Sequence, residues 1–575
     1  MNGDNIPDVK SMSDAELSAL CDKLRNKIIE TVMKNGGHLS SNLGMVELTV
    51  ALHYVFDFPK DKVIYDVGHQ CYTHKLLSGR ADKFDTLRKL GGISGFPKRE
   101  ESEYDCYNTG HAGTSISAAL GIAKARDIKG EDFNVIAVIG DGSFNNGLVY
   151  EAFNSVSEIN SNILIIINDN HMSITPTVGS MHEYLEELSN TENEERAKKL
   201  RHETIFERFG LAYDGVYDGN DLRLMIDKLK QIKQKLHEKP IILHVKTIKG
   251  KGYRYCEENP QETHGISAGN TKSTEYSAVL GQTLCDMAQT DKRIVAVTAA
   301  MTPSLGLSEF FAKYPERSID VGICESHAAV VCAGLAVEGL RPYYAVYSTF
   351  LQRSFDQIVV DICSQNVPVT ICIDRAGISG SDGETHQGEF DLSYLSIVPN
   401  MTIAVPKDIE EFKKMLLASV DFGAPLAIRY PKDGFKLFDS ENRFEFGKWE
   451  ILREGDDYAI IACGERMIGL AMAAAQIAYE NGISCCVINA RFVKPLDVAM
   501  LDGLPHNNII TMEDNALIGG LGALVDCHYA GSGKRIKNFA YPDEFIPHGS
   551  VGELISKYGI SVKKVSDYII GNAHR

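Results

Sequence analysis

Short apolar runs alternate with segments of helical periodicity along this chain, in three successive blocks. Residues 135–139 (VIAVI) and 163–167 (ILIII) each have the length and composition of a short buried strand in a parallel sheet. RIVAVTA and VPVTICID mark strands in the second block, and YAIIACG followed by a long alanine-rich helix opens the third. This alternation predicts the α/β class, with mainly parallel sheets.

Breaks in the periodicity divide the chain into three predicted domains. The first break is the glycine-rich, polar segment HVKTIKGKGYRYCEENPQETHG, and the second follows RYPKDGF. The predicted domains are residues 1–268, 269–440 and 441–575.

Residues 175–205 are strongly polar and poor in strand formers, so they predict a surface excursion with helical pieces. The HEYLE segment that begins at His182 lacks the second histidine one turn on that a zinc protease needs. We therefore interpret it as a solvated helix face.

Charge and cysteine content exclude several classes of protein. The formal net charge of −18 argues against nonspecific nucleic-acid binding, so an anionic ligand must be met by a few local cations. The 13 cysteines form no CxxC pair, and several lie inside apolar segments, which predicts small buried side chains in a reducing compartment. No apolar run approaches the roughly 18 residues that a membrane span needs, and the N-terminus resembles no targeting peptide. We expect a cytoplasmic protein that contacts no membrane.

Polar residues follow the two strands of the first block. Gly140-Asp141-Gly142 closes one apolar run, and Asn168-Asp169-Asn170 closes the next. Because ligands gather at the carboxyl ends of parallel strands, both motifs should lie at one edge of the sheet. We expect the glycines to let the backbone turn sharply and approach a phosphate, and Asp141 and Asn170 to offer oxygen ligands to Mg²⁺. The pair predicts a diphosphate held by a metal.

This spacing resembles the thiamine diphosphate signature, and much of the chain resembles the 1-deoxy-D-xylulose-5-phosphate synthase family. The similar segments include GGHLSSNLGMVELTVALHYVFD, YDVGHQCYTHKLLSGR, FPKRESEYD, TGHAGTSISAALG, YSTFLQRSFDQ, DRAGISGSDGETHQGEFDLSYL and RFVKPLD. The resemblance implies a transketolase-like thiamine diphosphate-binding fold and a homodimer. It also implies the cofactors thiamine diphosphate and Mg²⁺, and a transferase of isoprenoid-precursor, thiamine and pyridoxal biosynthesis.

The resemblance implies a set of cofactor contacts. Met172 is expected to give a third metal ligand through its carbonyl, Glu325 to hydrogen-bond the aminopyrimidine ring, and Phe350 to stack on that ring. The remaining expected cofactor contacts are His69, Gly110, His111, Ala112, Gly140, Gly142, Ser143 and Lys249. Without the resemblance, a glutamate at a helix start is more often a cap, and a phenylalanine after a strand is more often a core residue.

The resemblance also implies substrate contacts. Imidazole can donate, accept and titrate near neutral pH, and His38 and His69 are expected on the pyruvate side, with His264 and His386 on the acceptor side. Guanidinium groups can grip a phosphate with two parallel hydrogen bonds. The expected acceptor-side and carboxylate contacts are Arg353, Arg375, Arg429, Tyr347, Asp382 and, for the donor carboxylate, Arg99.

Several positions depart from the family pattern. Gly110-His111-Ala112-Gly113-Thr114 stands where the family usually has GHSST, and Glu325-Ser326-His327 replaces Glu-Gln-His. After GDG, the small-residue run is replaced by residues 143–147 (SFNNG), and the excursion after Val178 is several dozen residues shorter. These changes spare the expected ligands but put substrate range and site closure in question.

The implied reaction condenses pyruvate with D-glyceraldehyde 3-phosphate, releasing carbon dioxide and forming 1-deoxy-D-xylulose 5-phosphate. Two alternatives stay open at this point. One is a transketolase-type transfer of a two-carbon ketol between sugar phosphates; the other is a catalytically weak paralogue that binds thiamine diphosphate or a partner protein.

Overall fold

The computed structural model describes residues 6–172, 179–189, 194–266, 274–434, 438 and 444–572. The chain forms two compact units. Unit 1 comprises residues 1–270 and 322–324, and unit 2 comprises residues 271–321 and 325–575. The predicted domain boundaries at 268/269 and 440/441 lie outside the described residues, and the three-domain division stays a prediction.

Unit 1 is built on a five-stranded parallel sheet. Its strands are β1 (Lys62–Tyr65), β2 (Val135–Gly140), β3 (Leu164–Asp169), β4 (Ala212–Asp218) and β5 (Ile241–Lys246), in the order β1-β2-β3-β5-β4. Its helices are α1 (Asp14–Asn35), α2 (Ser40–Leu43), α3 (Val46–Val55), α4 (Tyr72–Leu77), α5 (Ser115–Lys129), α6 (Gly147–Ile159), α7 (Ser180–Ser189), α8 (Glu194–His202), α9 (Ile205–Arg208), α10 (Leu222–Lys235) and α11 (Arg254–Glu258).

The central strands of unit 1 lie where the apolar runs predict them. Strands β2 and β3 begin and end within two residues of those runs, because a strand covered by helices on both faces needs apolar side chains at successive positions. Helices α7 and α8 confirm the helical pieces expected between residues 175 and 205, of which residues 173–178 and 190–193 lie outside the described part. Helix α1 begins with a capping box formed by Ser13 and Glu16.

Unit 2 contains two larger sheets. Its strands are β6 (Thr274–Glu275), β7 (Ile294–Thr298), β8 (Ser318–Asp320), β9 (Arg341–Tyr347), β10 (Thr370–Asp374), β11 (Thr402–Ala404), β12 (Leu426–Arg429), β13 (Asp433–Gly434), β14 (Glu450–Arg453), β15 (Tyr458–Ala462), β16 (Cys485–Asn489), β17 (Phe492–Lys494), β18 (Asn508–Ala516) and β19 (Arg535–Tyr541). Its helices are α12 (Tyr276–Thr290), α13 (Ser308–Lys313), α14 (Glu325–Val337), α15 (Ser348–Leu351), α16 (Phe355–Gln357), α17 (Asp391–Ser396), α18 (Ile409–Ser419), α19 (Glu465–Glu480), α20 (Val498–Gly503), α21 (Leu521–His528), α22 (Val551–Lys557) and α23 (Val562–Asn572).

The sheets of unit 2 are parallel except at one edge of each. The seven-stranded sheet has the order β17-β11-β12-β10-β9-β7-β8, and β17 pairs antiparallel with β11. The five-stranded sheet has the order β14-β16-β15-β18-β19, and β14 is antiparallel. Strands β6 and β13 form a small antiparallel pair. The predicted α/β class with mainly parallel sheets is confirmed.

The predictions about the cysteines and about membrane-spanning segments can be compared with the fold. Five cysteines that lie inside apolar segments of the sequence are buried and form no disulfide: Cys332, Cys363, Cys372, Cys485 and Cys486. Among the described residues, no helix is both long and apolar enough to cross a bilayer.

Candidate active site

The carboxyl ends of β2 and β3 carry the predicted magnesium ligands. Gly140 lies opposite Asn168 in the parallel register, and the Asp141 N–H donates to the Asn168 carbonyl over 3.2 Å. Asp141 is buried, and the Oδ1 atom of Asn170 is buried without a hydrogen-bond donor among the described residues. Since a buried amide oxygen needs a partner, this end of the sheet fits a hard cation. Met172 lies two residues further on and is half-buried.

The structure corrects the reason given for the glycines of the GDG motif. Gly142 has helical angles, with φ −63° and ψ −42°, and Gly140 does not adopt a left-handed conformation either. Neither glycine is therefore needed for a sharp turn. A Cβ on Gly140 would meet only the Gln70 amide nitrogen, at 3.7 Å, so the space at this strand end is open for the approach of a ligand.

Lys249 is a buried cation near Asp141. It follows β5, and its side chain is almost wholly removed from solvent. Burial lowers the pKa of Lys249 to about 8, although the Asp141 carboxylate acts in the opposite direction. A buried ammonium group of this kind suits a diphosphate, which would restore the charge balance.

Three of the predicted histidines form one cluster in unit 1. The ring centroids of His38, His69 and His264 lie 5.6 Å apart in each of the three pairs. The Asn42 side chain fixes two of them, since its Nδ2 donates to the His38 and His69 carbonyls over 2.7 and 2.6 Å. Burial lowers the pKa of His264 well below its usual value, and the nearby Lys249 lowers it further.

Asn42 was not among the residues expected from the sequence, although it lies in the segment GGHLSSNLG that carries His38. The only available signal was proximity in sequence, because the Asn42 side chain acts on backbone carbonyls of residues both before and after it.

The segment Gly110-His111-Ala112 leads into α5, and the turn between them is held by a second residue that was not expected from the sequence. Asp66 accepts hydrogen bonds from Gly113 N and Ser115 N over 2.8 and 3.1 Å. Burial raises the pKa of Asp66, while these bonds and the hydroxyl of Ser143 oppose that rise. Asp66 thereby ties the predicted diphosphate contacts after β2 to the segment before α5.

Two positions that depart from the family pattern contact each other. Gly113 has φ +84°, and a Cβ there would lie 2.6 Å from the Asn146 amide oxygen. Asn146 in turn caps α6 by accepting from Leu148 N. Gly113 is thus required by both its backbone conformation and its close approach to Asn146.

Arg99, expected near the donor carboxylate, is exposed in unit 1, and its backbone N–H donates to the Asn108 side chain over 2.8 Å. Its position gives the predicted role no further support.

Glu325 begins α14 in unit 2 and is 3% exposed. Its Oε2 accepts no hydrogen bond from the described residues and lies 4.0 Å from the Arg353 guanidinium. Burial raises the pKa of Glu325, and Arg353 only partly opposes this. A buried carboxyl group with one unsatisfied oxygen fits the expected hydrogen bond to an aminopyrimidine ring. Ser326, which stands where the family usually has glutamine, helps to hold Arg353 beside Glu325, because its hydroxyl donates to the Arg353 carbonyl over 2.7 Å.

Four further predicted residues of unit 2 contact one another. The Phe350 ring stacks on Tyr347 with centroids 5.7 Å apart, and its edge meets the His386 ring at the same distance. The Arg375 guanidinium lies 3.9 Å from the centre of the Tyr347 ring, within cation–π range. Asp382, like His386, lies in the loop closed by the backbone pair Gly377 and Gly388, and it is half-buried.

Arg429 is placed differently from Arg375. It is 3% exposed, its Nε donates to Asp391 over 2.6 Å, and its Nη2 donates to the Asp514 carbonyl over 2.6 Å and to the Gly388 carbonyl over 3.3 Å. Although burial disfavours its charge, Asp391 and Asp514 outweigh it and raise the pKa of Arg429. Only Nη1 donates no hydrogen bond within the described residues. The expectation of a two-bond grip on phosphate is therefore revised for Arg429 to a contact through one nitrogen.

Family models match three successive parts of the chain. The model described as 1-deoxy-D-xylulose-5-phosphate synthase matches residues 2–204 and 191–247. The transketolase pyrimidine-binding domain matches residues 272–436, and the transketolase C-terminal domain matches residues 447–565. Among solved structures, a transketolase from Campylobacter jejuni aligns with 98% of this chain and all of its own at 18% identity, with a TM-score of 0.46.

Curated relatives are similar over almost the whole chain, and each is described as 1-deoxy-D-xylulose-5-phosphate synthase. The protein of Clostridium acetobutylicum is 44% identical over 99% of this chain and 98% of its own length. Those of Clostridium tetani and Dictyoglomus turgidum are 45% and 46% identical, each over 98% of this chain and 97% of its own length. This chain belongs to the 1-deoxy-D-xylulose-5-phosphate synthase family.

Proposed function

We propose that this chain condenses pyruvate with D-glyceraldehyde 3-phosphate to form 1-deoxy-D-xylulose 5-phosphate and carbon dioxide, the reaction of the family to which it belongs. The observation that carries the proposal is Glu325, a buried carboxyl group with an unsatisfied oxygen at the position that the family gives to its thiamine-activating glutamate. When bound with Mg²⁺, thiamine diphosphate supplies the nucleophilic carbon and the electron sink that decarboxylation requires.

The metal and cofactor contacts are assigned residue by residue. Asp141, Asn170 and the Met172 carbonyl hold Mg²⁺, and Lys249 neutralises charge on the diphosphate. The other residues assigned to the cofactor are His69, Gly110, His111, Ala112, Gly140, Gly142 and Ser143 in unit 1, with Glu325 and Phe350 in unit 2. Glu325 holds a proton at one ring nitrogen, and the Phe350 face orients the ring. The support is the open strand end at Gly140 and the buried oxygens of Asn170 and Glu325.

The donor substrate is assigned to unit 1. His38 and His69 donate hydrogen bonds to the oxygens of pyruvate, and Arg99 attracts its carboxylate. His264 lies at the same 5.6 Å from both other rings, so it is assigned to this cluster, where burial and Lys249 keep it neutral, with a ring nitrogen that can accept a hydrogen bond.

The acceptor is assigned to unit 2. Arg375 and the Nη1 of Arg429 bind its phosphate, and Arg353 contributes positive charge beside Glu325. Tyr347, Asp382 and His386 bind its hydroxyl groups and aldehyde oxygen. The finer assignments of a homodimer and of a cytoplasmic location accompany this proposal, and sedimentation equilibrium of the full chain tests the first.

A product assay tests the proposed function. The chain is incubated with thiamine diphosphate, Mg²⁺, pyruvate and glyceraldehyde 3-phosphate, and the product is identified by mass. We expect 1-deoxy-D-xylulose 5-phosphate. Products formed from a ketose phosphate donor in the absence of pyruvate would indicate a transketolase instead, and cofactor binding without turnover of either donor would indicate a weak paralogue.

A further inference from the structure

Three metal-ligating side chains of unit 1 meet beside the end of β3. His182 and Glu186 lie one turn apart on α7, so both side chains project from the same face of the helix. His171 follows β3 and meets them from another part of the chain. One ligand atom from each of the three residues lies within 4.8 Å of the others. The HEYLE segment thus has a second histidine after all, contributed from outside the helix.

The distances within this cluster match metal coordination better than hydrogen bonding. The Glu186 Oε1 atom lies 3.6 Å from His171 Nδ1 and 3.5 Å from His182 Nε2. Ordinary N–H···O hydrogen bonds are about 2.7–3.2 Å long. Two ligands at about 2.0–2.1 Å from a tetrahedral Zn²⁺ are about 3.4 Å apart. Both measured separations therefore fit two edges of a zinc tetrahedron.

The surroundings of His171 favour a ligand at this position. Its Nδ1 atom is buried and has no hydrogen-bond partner among the described residues, although it faces Glu186. Its backbone is left-handed, with φ 59°, a conformation that is strained outside glycine and often marks functional positions. The His171 N–H donates to Asp169 Oδ1 over 3.1 Å, which holds the residue in that conformation.

The buried carboxylate of Asp169 lies beside the cluster. Asp169 Oδ1 lies 3.5 Å from His171 Nδ1, and Oδ2 lies 3.1 Å from His244 Nε2, whose ring is fixed in turn by the Tyr213 hydroxyl at 2.8 Å. Asp169 approaches His171 at Nδ1, the same nitrogen that faces Glu186, so it does not orient the ring through the other nitrogen. Asp169 instead holds His171 through the backbone N–H and adds negative charge beside the ligand set.

We propose that His171, His182 and Glu186 bind a divalent transition-metal ion such as Zn²⁺, through side chains that are not among the predicted Mg²⁺ ligands. Two imidazoles and a carboxylate suit zinc, whereas Mg²⁺ prefers oxygen ligands. A water molecule completes the tetrahedron. The bound ion fastens α7 to the end of β3, the strand that Asn170 follows. This inference does not depend on the proposed reaction.

Zinc binding by the full chain tests the proposal. The protein is freed of metal, reloaded with thiamine diphosphate and saturating Mg²⁺, and titrated with Zn²⁺ in competition with a chromophoric chelator. We expect one tight equivalent. His182→Ala and Glu186→Gln should each weaken it by more than the roughly 10- to 100-fold loss typical of an outer-shell partner. His202→Ala and Glu183→Gln, which change exposed residues of the same unit, should bind zinc as the wild type does.

Amide hydrogen exchange gives a second readout. Zn²⁺ should slow exchange within residues 180–189 of the wild type but not of His182→Ala. Glu186 is more than half exposed, so Glu186→Gln keeps the test valid if His182→Ala fails to fold.

Several results would overturn the proposal. One is a wild type that binds no zinc under these conditions, and another is unchanged zinc binding by both ligand variants. Loss of the zinc equivalent in Asp141→Ala with retention in His182→Ala would place the ion among the predicted Mg²⁺ ligands. Loss in Cys527→Ser, which removes an exposed thiol, would place it on that cysteine.

Discussion

Arg375 provides the sharpest test of how the acceptor's phosphate is recognised. Its guanidinium lies over the Tyr347 ring, and its backbone has φ 55°. Arg375→Ala removes the cation but keeps a Cβ, so the backbone strain is unchanged. Loss of a hydrogen bond to a charged group costs about 1.5–3 kcal/mol. At about 1.4 kcal/mol per factor of ten, the Michaelis constant for glyceraldehyde 3-phosphate should rise roughly ten- to a hundredfold.

Steady-state kinetics with two aldehydes isolate the phosphate contact. Wild type and Arg375→Ala are compared on D-glyceraldehyde 3-phosphate and on unphosphorylated D-glyceraldehyde, which both proteins should use about equally poorly. The Michaelis constant for pyruvate should change little. Arg453→Ala is the matched control, because Arg453 also lies over a tyrosine ring in unit 2, that of Tyr479 at 5.3 Å, but carries no predicted role.

An equal loss with both aldehydes would refute the reasoning, since the missing interaction would then not involve phosphate. Arg429→Ala is a poorer probe despite its predicted role. It would leave the Asp391 carboxylate buried without its cation, and breaking a buried ion pair of this kind costs about 3–5 kcal/mol. Its effect on kinetics would be mixed with loss of structure.

Four further predictions follow from the geometry. Asp141→Ala should lose Mg²⁺-dependent binding of thiamine diphosphate in isothermal titration while its circular dichroism stays that of the wild type; wild-type binding would contradict the ligand assignment. Glu325→Ala should slow hydrogen–deuterium exchange at C2 of the bound cofactor by about 10²–10⁴-fold, and exchange at the wild-type rate would assign this task to another group. Burial raises the pKa of Glu389 to about 8, so the contribution of Glu389 to stability should fall as pH rises from about 4.5 to about 8, a range in which the unfolded chain ionises this group and the folded chain does not. Glu389→Gln should therefore raise the unfolding temperature, relative to wild type, near pH 8 and not near pH 4, and an equal rise at both would disprove this. Gly113→Ala should lower the unfolding temperature because its Cβ would lie 2.6 Å from an amide oxygen, whereas Gly121→Ala, with nothing within 4 Å, should not.

Several strands could be predicted because their burial shows in the composition of their own residues. Strands β2, β3, β7, β10 and β15 are buried at every position except Gly140, so each leaves an apolar run in the sequence. Strand β17 shows the limit of this approach. Its three residues, Phe492–Lys494, pair with β11 about ninety positions earlier in the chain, and nothing in their own pattern indicates that partner.

Among the candidate site residues, those that lie within one short motif could be predicted from the sequence, whereas contacts between residues far apart in the chain could not. The strand ends at Asp141 and Asn170 follow from local pattern, but the Arg429–Asp391 ion pair does not, because both residues also suit a solvated surface. The acceptor-side role of His264 stays a prediction, and the contact of its ring with His38 and His69 could not be predicted because these residues lie far apart in the sequence. The HEYLE segment predicts only a solvated helix face, because its own pattern cannot indicate His171, which follows β3 and meets His182 and Glu186 from outside the helix.

The contact between Gly113 and Asn146 has a consequence for exchanging segments with relatives. The family usually carries serine where this chain has Gly113, and a small residue where this chain has Asn146. In this chain the larger side chain of the pair is therefore at position 146 instead of position 113. Grafting GHSSTS alone would place a Cβ against the Asn146 amide, and a chimera carrying only the small-residue run would leave a gap beside Gly113. The segments that contain Gly113 and Asn146 should therefore be exchanged together.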